Sequence, residues 1–319
     1  MNLTRSPFSL KNIKAIFKLR KILNENDYDI IHTHTPVGSV VTRLAYKFSR
    51  SKAKLIYTCH GFHFYKGSPI HYWLIFYPIE KYLMRYTDEL LVMNKEDFEF
   101  AKKHFKNANV KLINGVGFNK DRLNKKYEDR EIEEIYKKNN INKDCFIVSY
   151  IAEFSDRKRQ IEFIDELAKT NIKEENIKIL LIGDDILNGK VQKEIQEKHL
   201  EESIKTIDFT LDIGKYFEIS NLIISVSKQE GLPLNIMEAI YKRKPVIVSN
   251  CRGNVDLVQD GINGFIIKDL KEMYPKIVDI KNNYKNVMME YKRGINIAEY
   301  DSEHIVKEMF KIYRKIIQK

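Results

Sequence analysis

The stretch QEGLPLNIMEAI, residues 229–240, sets Glu230 and Glu238 eight positions apart around a Gly-Leu-Pro turn. In one continuous helix two such carboxylates would point about 80° apart. A turn between them changes that. Pro233 suits the first turn of a helix, where its missing N–H costs nothing. Glu230 would then project from the preceding loop over the strand ends, while Glu238 faces the same cleft from about one and a half turns inside the helix. The backbone N–H groups left over at such a helix start favour anionic phosphate oxygens. Together these features suit a sugar nucleotide, with acceptors for its hydroxyls and donors for its pyrophosphate. The plain alternative is a surface helix start carrying solvated acidic residues. On sequence grounds a loop carboxylate contributes little packing, so Glu230→Ala is expected to leave the fold intact.

A second group lies in AEFSDRKRQIEFI, residues 152–164. Arg157 and Lys158 fall where a loop meets a helix, and a guanidinium beside an ammonium there would clamp a diphosphate. Cations at a helix N-terminus oppose the helix dipole, which supports a functional reason; a solvated face is the equal alternative. In the first half, His32 and His34 close one apolar run and His60 follows another in YTCHGFHFYKG. Gly61 lets the backbone after His60 approach a ligand. A histidine at a strand's carboxyl end can hydrogen-bond a sugar hydroxyl or a leaving phosphate; buried structural histidines are the alternative. No HExxH pair, nucleophile elbow, P-loop or GxGxxG is present, and Asp184–Asp185 is by itself too little for a metal site.

These residues must be positioned by the elements around them. Short apolar runs alternate with helical segments throughout, the signature of parallel α/β sheets. Strands are expected at 28–34, 53–59, 88–93 and 109–114, with helices at 9–26, 37–50, 69–86 and 95–107. The polar segment 119–140 holds no buried strand and reads as the interdomain crossing. Strands resume at 144–153, 176–183, 203–209, 221–227, 244–250 and 263–267, with helices at 157–169, 187–200, 234–242, 253–259 and most of 269–318. The fold class is therefore α/β, with two doubly wound Rossmann-like domains over 1–125 and 126–300. A C-terminal helix, 301–319, is expected to pack back toward the first domain. Ligands of such sheets sit at the carboxyl ends of the strands, where the candidate residues lie.

Composition narrows the class further. The 319 residues are 43% hydrophobic and 31% charged, a globular profile long enough for two domains. No run approaches the ~20 apolar residues of a spanning helix, and the N-terminus has no signal-peptide pattern. Three widely spaced cysteines, Cys59, Cys145 and Cys251, argue against a disulfide framework or a zinc site and fit a reducing compartment. The net charge of +11 is uneven: residues 1–126 hold 23 Lys and Arg against 10 Asp and Glu, and the remainder 32 against 34. A basic half suits an anionic membrane surface or a phosphorylated substrate. A lysine-rich proteome would give the same surplus. Nucleic acid is disfavoured, because the basic residues lack interleaved aromatics on a recognisable module.

In order along the chain, RSPFSLKNIKAI, YDIIHTHTPVGSVVTRLA, YTCHGFHFYKGSP, INGVGF, EGLPLNIMEAI and PVIVSNCRGNVDLVQDGINGFII resemble glycosyltransferase family 4, retaining enzymes of the GT-B fold, and most closely the bacterial capsular and exopolysaccharide group. EGLPLNIME matches the family's E-x7-E element. The resemblance implies that Glu230 holds donor-sugar hydroxyls, Glu238 the ribose, and Lys158 with Arg157 the diphosphate. It places His60 on the donor-sugar side and has the turn Gly231, Leu232, Pro233 and Leu234 bring backbone amides near the donor. The donor it implies is a UDP-linked sugar, with no metal or other cofactor; the acceptor is a polyprenyl-diphosphate-linked saccharide, and the setting is cytoplasmic, peripheral at the inner membrane face. Three positions depart from the pattern. Ala152-Glu153 stands where Gly-Arg is frequent, and Asp208 where a glycine near the base is common. Members of the family also begin about 60 residues earlier, with a strand and glycine-rich loop. The first domain is therefore expected to be truncated, and an inactive remnant that still binds nucleotide sugar or a partner is the alternative function.

Overall fold

The computed structural model describes residues 9–291 and 297–318, which form two compact units: residues up to Gly115 together with those from Glu303, and Val116–Ser302. The first four residues of RSPFSLKN lie outside the described residues.

In the first unit, α1 (Leu10–Glu25) starts after Ser9, whose hydroxyl accepts the N–H of Lys11 at 3.3 Å, the cap that the sequence predicts. Four strands follow, β1 (Ile30–His34), β2 (Lys54–Cys59), β3 (Glu89–Val92) and β4 (Asn109–Leu112), alternating with α2 (Pro36–Lys47), α3 (Ile70–Leu83) and α4 (Lys95–His104). The strands pair in parallel in the order 1-2-3-4. β2 and β3 are buried along nearly their whole length, which is why they read as unbroken apolar runs. Behind β2, the guanidinium of Arg43 donates to Glu80 at 2.7 Å and lies 4.6 Å from the Tyr57 ring centroid. Such a pair holds only because both charges are buried together.

The second unit opens with α5 (Lys120–Leu123) and α6 (Asp129–Lys138). Residues 116–125 belong here because Phe118 and Leu123 enter this unit's apolar core. Six parallel strands follow: β5 (Phe146–Ile151), β6 (Ile177–Ile182), β7 (Ile204–Ile207), β8 (Leu222–Ser225), β9 (Val246–Ser249) and β10 (Phe265–Ile267). The helices between them are α7 (Gln160–Leu167), α8 (Lys190–Glu197), α9 (Gly214–Ile219), α10 (Leu234–Tyr241) and α11 (Asn254–Leu257), with α12 (Met273–Asn282) and α13 (Tyr284–Tyr291) after the last strand. The sequence reading passes over α9, a six-residue helix too short to show a period. The spatial order is 10-9-8-5-6-7. The chain thus leaves β5 in one direction and returns to its other side at β8, a switch point at which loops diverge and leave a crevice. Core side chains line both faces of this sheet.

The last helix, α14 (Ser302–Ile317), belongs to the first unit from Glu303 onward. Its Tyr313 hydroxyl lies 2.6 Å from Nδ1 of His32. Among the described residues no helix is long and apolar enough to cross a membrane.

Candidate active site

The loops after β5 and β8 flank the switch point, and they carry Arg157, Lys158 and Glu230. A backbone bond from the N–H of Lys228 to the carbonyl of Arg157 (2.9 Å) ties them together. Glu230 is 6% exposed. Lys158 Nζ donates to its Oε1 at 2.5 Å, and Arg157 Nη1 to its Oε2 at 3.1 Å. Arg157 also reaches the carbonyl of Gln229 and, through Nη2, Glu153 Oε1, both at 3.2 Å. Burial pushes the Glu230 carboxyl up, but the charges of Lys158 and Arg157 outweigh it and hold the group below its ordinary value. Glu230 is therefore an ionised, buried acceptor and not a solvated surface charge.

This geometry corrects the expectation that Glu230→Ala would spare the fold. Truncation would leave the Lys158 ammonium buried without its closest partner, at a cost on the order of 3 kcal/mol. It also corrects the local picture of two helices. Arg157 and Lys158 precede α7, with Arg159 at its N-cap in a left-handed conformation (φ 60°), so they sit outside the helix dipole's first turn. Pro233 occupies the N-cap of α10 and not its first turn. Gly231 to Leu234 run from the Glu230 loop into this helix start, which no side chain caps.

Glu238, one turn into α10, is 2% exposed. Its partner is Arg122 of α5, whose Nη2 donates to Oε1 at 2.6 Å. The two glutamates thus have separate partners. Burial raises the Glu238 carboxyl to about 7, and Arg122 only partly offsets this because its side chain is 38% exposed and screened by solvent.

Several supporting residues escape sequence reasoning. The Tyr150 hydroxyl, buried in β5, donates to the Lys158 carbonyl at 2.8 Å and lies 3.0 Å from Ser227 Oγ, so one side chain fixes both loops. Gly253, at φ 81°, allows the loop after β9 to press on the Glu230 turn: a Cβ there would stand 2.7 Å from the Gly231 carbonyl oxygen. At the carboxyl ends of β5, β6 and β7 lies a hollow of about 480 Å³, walled by Ala152, Glu153, Gly183, Asp184, Phe209 and Thr210 among others. Gly183 is required there, since a Cβ would meet the Ala152 carbonyl oxygen at 2.0 Å. Glu153 belongs both to this hollow and, through Arg157, to the charged cluster.

In the first unit, His34 and His60 meet at the ends of neighbouring strands, with His34 Nδ1 3.2 Å from His60 Nε2. Burial lowers both, and His34 further depresses His60. His32 is committed elsewhere: Nε2 lies 2.7 Å from Thr58 Oγ1 and Nδ1 contacts Tyr313, and burial, then the neighbouring His34 and His60, lower it to about 4. Both His32 ring nitrogens are thus occupied; His34 is exposed and His60 half-buried. Thr35, between His34 and Pro36, sits at φ 62° and ψ 150°, a conformation β-branched residues avoid. Among the described residues no group of three or more His, Cys, Asp or Glu is placed to hold a metal ion.

With this geometry in view, comparison with known proteins is decisive. The family described as glycosyl transferases group 1 matches residues 131–293, and the glycosyl transferase 4-like family matches residues 1–94. The chain belongs to the group 1 glycosyltransferases. The Bacillus subtilis protein EpsD, named as a glycosyltransferase, is 33% identical over 266 residues, covering 83% of this chain and 70% of its own. The Escherichia coli UDP-Gal:alpha-D-GlcNAc-diphosphoundecaprenol alpha-1,3-galactosyltransferase is 23% identical over 313 residues, covering 93% and 79%. The crystal structure of Anabaena HepE in complex with UDP-glucose superposes with a TM-score of 0.79 at 20% identity, covering 94% of this chain and 82% of HepE. The glycosyltransferase is thus of the kind found in bacterial polysaccharide assembly, on a GT-B fold.

The raised Glu238 carboxyl has a thermodynamic consequence. Its folded value, about 7, lies above an unfolded value near 4.5, so between these the folded state binds more protons. Its contribution to stability is full below about pH 4.5 and is lost as pH rises through about 7. Urea unfolding at several pH values should show Glu238→Gln without this decline, its advantage over the parent growing toward pH 7 to a few kcal/mol. Parallel curves for parent and variant would contradict the assignment.

Proposed function

We propose that this glycosyltransferase moves a sugar from a UDP-linked donor to a polyprenyl-diphosphate-linked saccharide with retention of anomeric configuration. The observation that carries the reading is the Lys158–Glu230–Arg157 cluster at the sheet's switch point, built on a buried Lys158–Glu230 pair. Arg157 and Glu153 are each more than a third exposed, so their contact is worth little and a diphosphate can replace Glu153 at small cost. Lys158 and Glu230 are buried, so their contact is the costlier one to break. Cations held against the departing phosphate stabilise charge where it develops.

In this scheme the acceptor hydroxyl attacks the anomeric carbon from the face that UDP leaves. The carbon–oxygen bond to UDP breaks as the new glycosidic bond forms, and the hydroxyl proton passes to the leaving phosphate oxygen. Glu230 accepts hydrogen bonds from the donor sugar's hydroxyls and Glu238 from the ribose, with amides at the start of α10 supplementing the cations. The hollow over β5–β7 takes the uracil ring, with Phe209, 65% exposed at its wall, as a stacking surface. His60, with His34 Nδ1 3.2 Å from its Nε2, is the candidate partner for a sugar hydroxyl in the first unit. No metal or other cofactor enters this scheme, since the cluster and the helix start carry the diphosphate charge.

Two features support a membrane-bound acceptor. The first unit holds 24 Lys and Arg against 11 Asp and Glu, and α3 exposes Ile70, Leu74, Ile75 and Ile79. Anionic lipid attracts such a surface by about 1 kcal/mol for each nearby cation. The proposed setting is therefore the inner face of the cell membrane, with peripheral attachment. Flotation with anionic vesicles should show binding that high salt reverses; protein left at the bottom of the gradient at low salt would contradict it.

The transfer scheme is tested with Glu230→Gln, which keeps the shape and a hydrogen bond to Lys158. Incubated with UDP-sugars and a lipid-linked acceptor, the parent should release UDP and extend the acceptor, and the variant, assayed at a temperature where it remains folded by circular dichroism, should do so about a hundredfold more slowly. Near-normal turnover by the variant would remove Glu230 from the site. Donor binding without turnover by the parent would favour an inactive remnant.

A further inference from the structure

Arg122 and Glu238 meet through one hydrogen bond where their shapes allow two. Arg122 Nη2 donates to Glu238 Oε1 at 2.6 Å. The Nε–H and the nearer Nη2–H of a guanidinium lie on one edge of its plane and match the two oxygens of a carboxylate as a fork. Here the fork is half used. Arg122 Nε is buried without a hydrogen-bond partner, and among the described residues no group donates to Glu238 Oε2. Glu238 is 2% exposed, so bulk water does not make up what this carboxylate lacks.

Fastening α5 to α10 does not require the pair. Lys242 Nζ donates to the Leu123 carbonyl at 3.0 Å and Asn124 Nδ2 to the Tyr241 hydroxyl at 2.7 Å, while the ring centroids of Phe118 and Tyr241 lie 4.7 Å apart. Asn119 Oδ1 accepts the Arg122 N–H at 3.0 Å. The Arg122 backbone is thus fixed, whereas its side chain is 38% exposed and can tilt to admit a small group. The pair also belongs to the donor side of the fold. Asn235 Nδ2 donates to the Ile151 carbonyl at 2.9 Å, and Ile151 walls the hollow over β5–β7. Glu238 follows Asn235 by three positions, on the same face of α10.

An unpaired N–H beside an unpaired carboxylate oxygen is the complement of a hydroxyl, which accepts and donates at once. A phosphate oxygen would suit the N–H alone and be repelled by the carboxylate. We propose that Arg122 is a second ribose ligand: one ribose hydroxyl of the nucleotide donates to Glu238 Oε2 and accepts from Arg122 Nε. The inference rests on the reading of Glu238 as the ribose carboxylate and adds the donor that completes the contact. It gives the Arg122–Glu238 pair a role beyond neutralising a buried charge, and it explains why the pair meets off the fork.

Calorimetric titration of the full chain with UDP and with 2′,3′-dideoxy-UDP reads this contact without turnover. The parent should prefer UDP about a hundredfold, and Arg122→Met and Glu238→Gln should each cut that preference to about tenfold. Arg122→Met should bind dideoxy-UDP as the parent does, which a general disturbance of α5 would not allow. The double variant should bind the two nucleotides about equally. If Arg122→Met alone does not fold, the double variant, in which neither charge is left without its partner, decides by comparison with Glu238→Gln: an arginine that merely held Glu238 in place would add nothing there. No preference in the parent, a parent-like preference in Arg122→Met, equal loss for both nucleotides, or no further loss in the double variant would overturn the proposal. A parent-like preference in Glu238→Gln would remove Glu238 from the ribose site and the proposal with it. Loss of preference in Glu238→Gln without loss in Arg122→Met would overturn this inference alone.

Discussion

The organisation of the second unit depends on one buried carboxylate that cannot stand alone. Glu230 is too deep to be ionised without partners, and Lys158 and Arg157 supply them from the neighbouring strand's loop. Everything nearby serves that meeting. Tyr150 fixes the Lys158 backbone and Ser227 from beneath, and Gly253 lets a third loop close on the turn. The topology makes the meeting possible, because β5 and β8 are neighbours in space although β6 and β7 separate them in the chain. A switch point is thus converted into a charged site whose most exposed contact, Arg157 to Glu153, is the one a ligand can displace at least cost.

The two units divide their chemistry by composition. The second is close to charge balance and concentrates its charge in specific pairs. The first carries the basic surplus, a pair of facing histidines and a strained Thr35 beside them. They are distinct from what holds the unit together, which is its parallel sheet and the aromatic cluster around Phe62, Phe64 and Phe105.

Much of this was legible in the sequence because parallel strands are buried on both faces. YTCHG, KILLIG and NLIISVS announce their strands as apolar runs, and residues just past each run mark the site. Glu230, Arg157, Lys158 and His60 stand out as candidates in that way, and Glu238 by its spacing from Glu230. What was not legible depends on contacts between distant residues. Arg122 meets Glu238 across 116 positions, and Tyr313 meets His32 across 281. No local pattern encodes such pairs. The stabilising weight of Glu230 was also hidden, because exposure cannot be read from a loop's sequence, and here burial reverses the expected effect of its truncation. The hollow over β5–β7 escaped for the same reason: Gly183 and Phe209 acquire meaning only when three strand ends are side by side.

The central claim is that the Lys158–Glu230 pair divides donor recognition, the cation holding diphosphate and the carboxylate holding sugar. Calorimetric titration of UDP and of a UDP-sugar separates the two halves. The account predicts that Lys158→Met weakens UDP itself about tenfold or more, whereas Glu230→Gln leaves UDP affinity intact and removes only the additional affinity that the sugar confers. Equal UDP affinity in the parent and Lys158→Met would contradict it.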